Sequence, residues 1–270
     1  MQLTYLGTAA SECFPALFCH CEYCQEARKL GGRNIRTRSQ ALVNDDLLID
    51  LPADTYWHFI QNGIEGDTIR YLLITHAHED HFYLDDLHLR FPPYAHDMRT
   101  QTLQVYCPKT VYDLFGGRFP INVEVHLLEP FKTVTFGTYR VTPLPARHMP
   151  QAEAFIYLIE GEKTMLYAHD TGYFFEDVFA YIEQSGVRLD MISMDCTNVL
   201  IPLPDDGGHM GFPNIERVID RLRGMKAVTD HTVVYINHFS HNGNPLQSFL
   251  EEQATPYGWQ VSYDGCRVQF

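Results

Sequence analysis

Ile69-Arg70-Tyr71-Leu72-Leu73-Ile74-Thr75-His76-Ala77-His78-Glu79-Asp80-His81 runs an apolar strand straight into three histidines and an aspartate. The strand gives the cluster a rigid base. Residues two apart in an extended segment point the same way, so His76 and His78 can share one metal. Asp80 and His81 come after the chain turns and can reach a second metal a few ångströms away. Imidazole nitrogens with a carboxylate suit Zn²⁺, Mn²⁺ or Fe.

Three more polar residues sit at the ends of apolar segments. His148 follows YRVTPLPAR, Asp170 follows TMLYAH, and His238 follows TVVYIN. A site on the rim of a sheet needs such ligands, delivered one by one from separate strands. Singly, each has a plainer reading as a turn residue, a helix cap or a buried histidine. Asp50 after LLI and Asp195 after MISM are candidates to support the ligands from behind, or are ordinary strand-end carboxylates. His169 reads as a polar neighbour of Asp170 and not as a ligand.

The remaining pattern is that of a layered α/β chain. Strands are expected at 2–6, at 40–50 as two short pieces joined at Asn44-Asp45-Asp46, and at 69–74, 105–107 and 123–128. A series of β segments spans 133–170, and further strands fall at 191–196 and 232–238. Helices are expected near 53–62, over 174–184, along the face made by Ile215, Val218, Ile219 and Leu222, and over 245–254. The chain is expected to close in a hairpin around Asp264-Gly265. No linker or repeat breaks the pattern, so residues 1–270 read as one domain.

Composition narrows the function. The 270 residues are 45% hydrophobic and 20% charged, ordinary for a folded protein and too apolar for disorder. The net charge of -14 repels polyanions, which disfavours nucleic acid and anionic membrane as partners. No run of 18 uncharged apolar residues is present, and MQLTYLGTAASECF lacks the features of a signal peptide. Seven cysteines without an export signal point to a reducing, cytoplasmic setting, where clustered cysteines are more often metal ligands than disulfides. A homodimer is compatible with the sequence.

Cys19-His20-Cys21-Glu22-Tyr23-Cys24 has the form C-x-C-x-x-C. Three thiolates so close can ligate one tetrahedral Zn²⁺ if a fourth ligand arrives. His241, three residues after His238, is the best candidate. Such an ion would pin a loop at about 11–38 beside the rim that carries His238. Cys13, Cys107, Cys196 and Cys266 read as small buried apolar residues.

The H-x-H-x-D-H run with a distant His, Asp and His in that order resembles the metallo-β-lactamase superfamily over nearly the whole chain. The resemblance implies an α/β fold, a four-layer αββα sandwich with metals at one edge. It implies a first metal on His76, His78 and His148, a second on Asp80, His81 and His238, and Asp170 bridging both. Two such ions make hydroxide available at neutral pH, so hydrolysis is the expected reaction. The C-x-C-x-x-C loop with His238-Phe239-Ser240-His241 resembles the phosphoribosyl 1,2-cyclic phosphate phosphodiesterase branch. Pyrroloquinoline-quinone biosynthesis B-type proteins share a similar cysteine loop.

In that branch a histidine ahead of the helix carrying Ile215 protonates the leaving oxygen, and His209 matches it in place and context. Asp80, through the second metal, and His209, as general acid, are the candidate catalytic residues. The glycines of Asp205-Asp206-Gly207-Gly208-His209 are expected to make that loop tight and adjustable. The expectation is a metal-dependent phosphodiesterase of small cyclic or ribose-linked phosphodiesters, using two divalent metals (Zn²⁺ or Mn²⁺, with Fe also compatible) and one structural Zn²⁺. The alternatives are a hydrolase of C–O or C–N bonds of lactone or lactam type, and an accessory protein of cofactor biosynthesis. Arg33, Arg36, Arg38 and Arg147 are candidates to hold a substrate phosphate, or a solvated basic surface.

Overall fold

Alternation along the strands sorts the core into layers. In the computed structural model, which describes residues 1–148 and 153–270, the chain builds two seven-stranded sheets. The first runs, in spatial order, Cys266–Gln269, Gln2–Gly7, Gln40–Val43, Leu47–Ile49, Tyr71–Leu73, Leu103–Cys107 and Val123–Leu127. The second runs Gln260–Val261, Val233–Asn237, Met191–Asp195, Thr164–Ala168, Phe155–Glu160, Tyr139–Pro145 and Val134–Phe136.

Side chains two apart share a face of a strand. Ala41, Val43, Leu47, Ile49 and Leu73 therefore pack against Tyr157, Ile159, Met165 and Tyr167 in a core between the sheets. The alternate residues Leu42, Leu48, Leu72 and Val105 face outward, where Val111 of helix Lys109–Leu114 and Phe59 of helix Thr55–Asn62 cover them. On the far side Ile156, Leu158, Leu166 and Ile192 meet helices Glu176–Ser185, Phe212–Gly224 and Gln247–Ala254. The result is the expected αββα sandwich.

Strand direction places the site. Leu47–Ile49, Tyr71–Leu73, Leu103–Cys107 and Val123–Leu127 are parallel, as are Thr164–Ala168, Met191–Asp195 and Val233–Asn237. Their carboxyl ends share one rim, the usual place for a site in α/β sheets. Asp50, Asp170 and His238 sit just past three of these ends in the left-handed region, with φ of 66°, 51° and 65°. That conformation is costly for residues with a side chain and is retained where surrounding structure dictates it, often at functional sites.

Three expectations change. The closing hairpin does not form: Gln260–Val261 joins one sheet beside Val233–Asn237, and Cys266–Gln269 joins the other beside Gln2–Gly7. Trp259 and Val261 belong to the outer core and Val268 to the inner one, so burial carries the two strands apart. The Cys-rich segment holds a helix, Glu22–Leu30, whose only buried residues are Cys24 and Ala27. So thin an apolar face leaves little periodic signal. Cys13 is only partly buried, at φ 64°, while Cys107, Cys196 and Cys266 are buried as expected.

Candidate metal centre and its cavity

The rim gathers all seven residues expected to hold the paired metals. Donor atoms of His76, His78 and His148 lie within 4.8 Å of one another, as do those of Asp80, His81, Asp170 and His238. The Asp170 carboxylate sits between the two groups. Its Oδ2 is 2.6 Å from His81 Nε2 and 3.4 Å from both His76 Nε2 and His238 Nε2. Its Oδ1 is 3.9 Å from His148 Nδ1. Asp80 Oδ2 lies 3.6 Å from His81 Nε2.

The hydrogen-bond network turns one nitrogen of each of four rings inward. Thr75 Oγ1 donates to Asp50, so His76 Nδ1, at 3.0 Å, donates to that hydroxyl. His81 Nδ1 donates to Asp50 Oδ2 at 2.6 Å. Thr197 Oγ1 donates to Asp195 and accepts from His238 Nδ1 at 2.8 Å. His148 Nδ1 faces the Gly208 carbonyl at 3.3 Å. Each Nε2 is thereby turned toward the cluster, the arrangement in which outer partners orient metal-binding histidines.

The donor set fits metal ions. His78 Nδ1 lies 2.9 Å from His76 Nε2 and 3.1 Å from His148 Nε2. Nitrogens bound at 2.0–2.1 Å around one tetrahedral ion stand roughly 3.3 Å apart, close to this spacing. His238 Nε2 is buried without a hydrogen-bond partner, a costly state that a cation would relieve. Burial, reinforced by the charge of neighbouring histidines, holds His76 and His78 below the ordinary histidine pKa, the neutral form a ligand needs. Burial alone would neutralise Asp170, but His238 and His81 hold it well below the usual carboxylate range.

His209 stands beside this cluster on the expected loop. Its Nδ1 is 3.1 Å from Asp195 Oδ2 and 3.3 Å from Asp170 Oδ1. Among the described residues its Nε2 makes no hydrogen bond, so that edge of the ring is left for a ligand. Burial works against a charged ring, yet Asp195 outweighs it and raises His209 to about 9. Asp195 also accepts from the Met210 and Thr197 amides, which ties the loop to the strand end. Gly208 is needed for close approach more than for adjustability: a Cβ there would lie 2.5 Å from the His148 carbonyl.

The residues of the Cys cluster also come together. Donor atoms of Cys19, Cys21, Cys24 and His241 lie within 4.8 Å of one another, with Cys21 Sγ 3.7 Å from His241 Nδ1. Cys21 caps helix Glu22–Leu30 and Cys24 lies in its first turn, so the C-x-x-C spacing brings both sulfurs to one side. Burial opposes a thiolate at Cys21, but bonding with His241 and the neighbouring cysteines brings it down to about 6. Burial pushes Cys24 up to about 12. His169 turns away from the cluster, its Nε2 2.7 Å from Ser193 Oγ.

A cavity of about 570 Å³ opens over the cluster, lined by His78, Asp80, His148, Asp170, His209 and His238 and by Ser11, Glu12 and Ser240. None of the arginines considered from the sequence lines it. Arg36 is wholly buried and spends its guanidinium on Thr8, Ser262 and Gln247. Arg38 binds Asp54 and the Ser11 carbonyl, and Arg147 binds the Tyr173 carbonyl while lying over the Phe175 ring. Glu12 had no signal in the sequence, because it stands in an irregular loop with no motif around it.

The beta-lactamase superfamily domain model matches residues 53–232. The chain belongs to the beta-lactamase superfamily. As a superfamily hydrolase of the metallo-β-lactamase fold it has solved neighbours along its whole length. A new diphosphatase from the PhnP family is 23% identical, with a TM-score of 0.74 over 100% of this chain and 96% of that one. Zn²⁺-bound PqqB from Methylobacterium extorquens is 20% identical, with a TM-score of 0.73 over 100% of both chains. The metallo-beta-lactamase fold protein YhfI from Bacillus subtilis is 16% identical, with a TM-score of 0.70 over 99% and 98%. Among curated proteins none matches the sequence. No helix among the described residues of this superfamily member is long and apolar enough to cross a membrane.

Proposed function

We propose that this superfamily hydrolase is a metal-dependent phosphodiesterase acting on small cyclic or ribose-linked phosphodiesters. The observation that carries the reading is His209. It is a ring backed by Asp195 through Nδ1, lining the same cavity as His78, Asp80, His148, Asp170 and His238. The neighbour described as a PhnP-family diphosphatase supports phosphorus over carbon as the centre attacked.

His76, His78 and His148 would hold one divalent cation and Asp80, His81 and His238 a second, with Asp170 shared. Zn²⁺, Mn²⁺ and Fe all suit these donors. Cys19, Cys21, Cys24 and His241 would hold a structural Zn²⁺. When bound, the paired cations supply Lewis acidity that acidifies water and offsets charge on phosphoryl oxygens.

The chain's own groups do the rest. Asp195 fixes the His209 ring so that Nε2 points at the ligand, and Nε2 gives its proton to the departing alkoxide oxygen. Thr197 couples Asp195 to His238, which keeps general acid and ligand in one register. With no arginine or lysine among the described residues of the cavity wall, the phosphoryl charge is left to the cation sites and His209.

Metal content and turnover of bis(p-nitrophenyl) phosphate test the reading together. Three metals per chain, with turnover that tracks two of them, is the expected result. His209→Ala should keep the metals and lose about 10²–10⁴-fold in kcat on an alkyl phosphodiester. The loss should be far smaller on the nitrophenyl ester, whose leaving group needs little protonation. Equal losses on both would reject His209 as general acid, and no turnover by metal-loaded protein would reject the phosphodiesterase.

A further inference from the structure

The cavity has one acidic wall that hydrolysis does not explain. Glu12 comes from the loop after strand Gln2–Gly7 and lines the cavity beside Ser11, Ser240, Asn198 and Asn242. Its Oε1 accepts from Ser240 Oγ at 2.6 Å and lies 3.9 Å from His241 Nε2. The Ser240 hydroxyl accepts in turn from the Asn242 amide group at 3.0 Å, so its single proton is committed to Glu12. Among the described residues Oε2 has no hydrogen bond. No lysine or arginine among the described residues lines the cavity, and the sequence has no charged side chain at 149–152.

We propose that Glu12 sets the substrate class: a phosphodiester whose other half is a neutral, hydroxyl-bearing sugar without a second phosphate. The inference rests on the phosphodiesterase reading and adds to it. A carboxylate oxygen accepts a sugar hydroxyl well and repels a second anion at close range. The neighbouring serine and asparagine side chains supply neutral hydrogen-bonding groups that suit the same hydroxyls. A second phosphate would enter this wall without a cation to meet it, and the cation sites are already taken by the scissile group.

The test compares ribose 1,2-cyclic phosphate with the same sugar bearing a further 5-phosphate, on metal-loaded protein. The wild type should favour the singly phosphorylated compound at least tenfold in kcat/KM. Glu12→Gln keeps an oxygen for Ser240 and removes the charge, so the preference should fall to threefold or less. A purely structural role would lower both rates together and leave their ratio unchanged. Calorimetric binding of ribose 1-phosphate and ribose 1,5-bisphosphate should show the same narrowing in Glu12→Gln. Equal use of the two cyclic compounds by wild type, or an unchanged ratio in the variant, overturns the proposal while hydrolysis of bis(p-nitrophenyl) phosphate still stands. Loss of all phosphodiester turnover, the nitrophenyl ester included, overturns the phosphodiesterase reading and this one with it.

Discussion

Asp50 holds three donors with one buried carboxylate: the Thr75 amide, the Thr75 hydroxyl and His81 Nδ1. Asp50→Ala frees the His81 ring and strands the buried Thr75 amide. The unsatisfied amide alone should cost about 1–3 kcal/mol of stability. Affinity for the cavity metals should drop roughly 10–100-fold, the usual effect of removing a partner that orients a ligand. Chelator competition and urea unfolding would measure the two separately; unchanged metal affinity would mean that His81 is not a ligand. At this scale the sequence was readable where a polar residue closes an apolar strand, as at His148, Asp170 and His238. It was unreadable where role depends on which ring nitrogen faces which partner. Asp50 and Asp195 looked like any strand-end carboxylates until the fold set His81 and His209 against them.

Helix Glu22–Leu30 is nine residues long, too short to be stable alone. It is held by a small apolar cluster of Phe14, Ala16, Cys24 and Ala27 and by the Cys and His donors beside it. His241→Ala removes the donor that reaches this element from the far end of the chain. One metal per chain should be lost, protease cutting should increase within residues 11–38, and the cavity metals should remain. Metal analysis with limited proteolysis decides it; loss of all three metals at once would tie the two centres into a single unit. The strands of the central sandwich were legible because alternation and run length mark them. This helix was not, since sulfur donors and a few small residues replace the apolar stripe. The C-terminal pair was misread for the opposite reason. Its alternation was correct, but alternation does not say which strand is the partner.

Across the whole molecule the C-terminal segment passes from one sheet to the other, and Asp264 sits at the crossing. It accepts from Thr8 Oγ1 at 2.6 Å and from the Thr37 amide at 2.7 Å, partners more than 220 positions away in sequence. The residue keeps some surface in water, but its carboxylate is held by Thr8 and Thr37, and burial dominates. Burial raises Asp264 to about 6, against the lowering effect of those hydrogen bonds. The folded chain therefore keeps a proton here that the unfolded chain releases near pH 4. Between those values the folded state binds more protons, so stability from Asp264 is complete below about pH 4 and is lost as pH rises through 6. A two-unit shift is worth at most about 3 kcal/mol, and solvent screening reduces that to roughly 1–2. Asp264→Asn cannot titrate, while every other group is common to both proteins. The difference in unfolding free energy, wild type minus variant, should thus shrink by about two-thirds of that amount between pH 4.5 and 7.5 in urea titrations. A flat difference would mean that the carboxylate is already ionised at the acid end, and that the link between the sheets at this point is insensitive to pH.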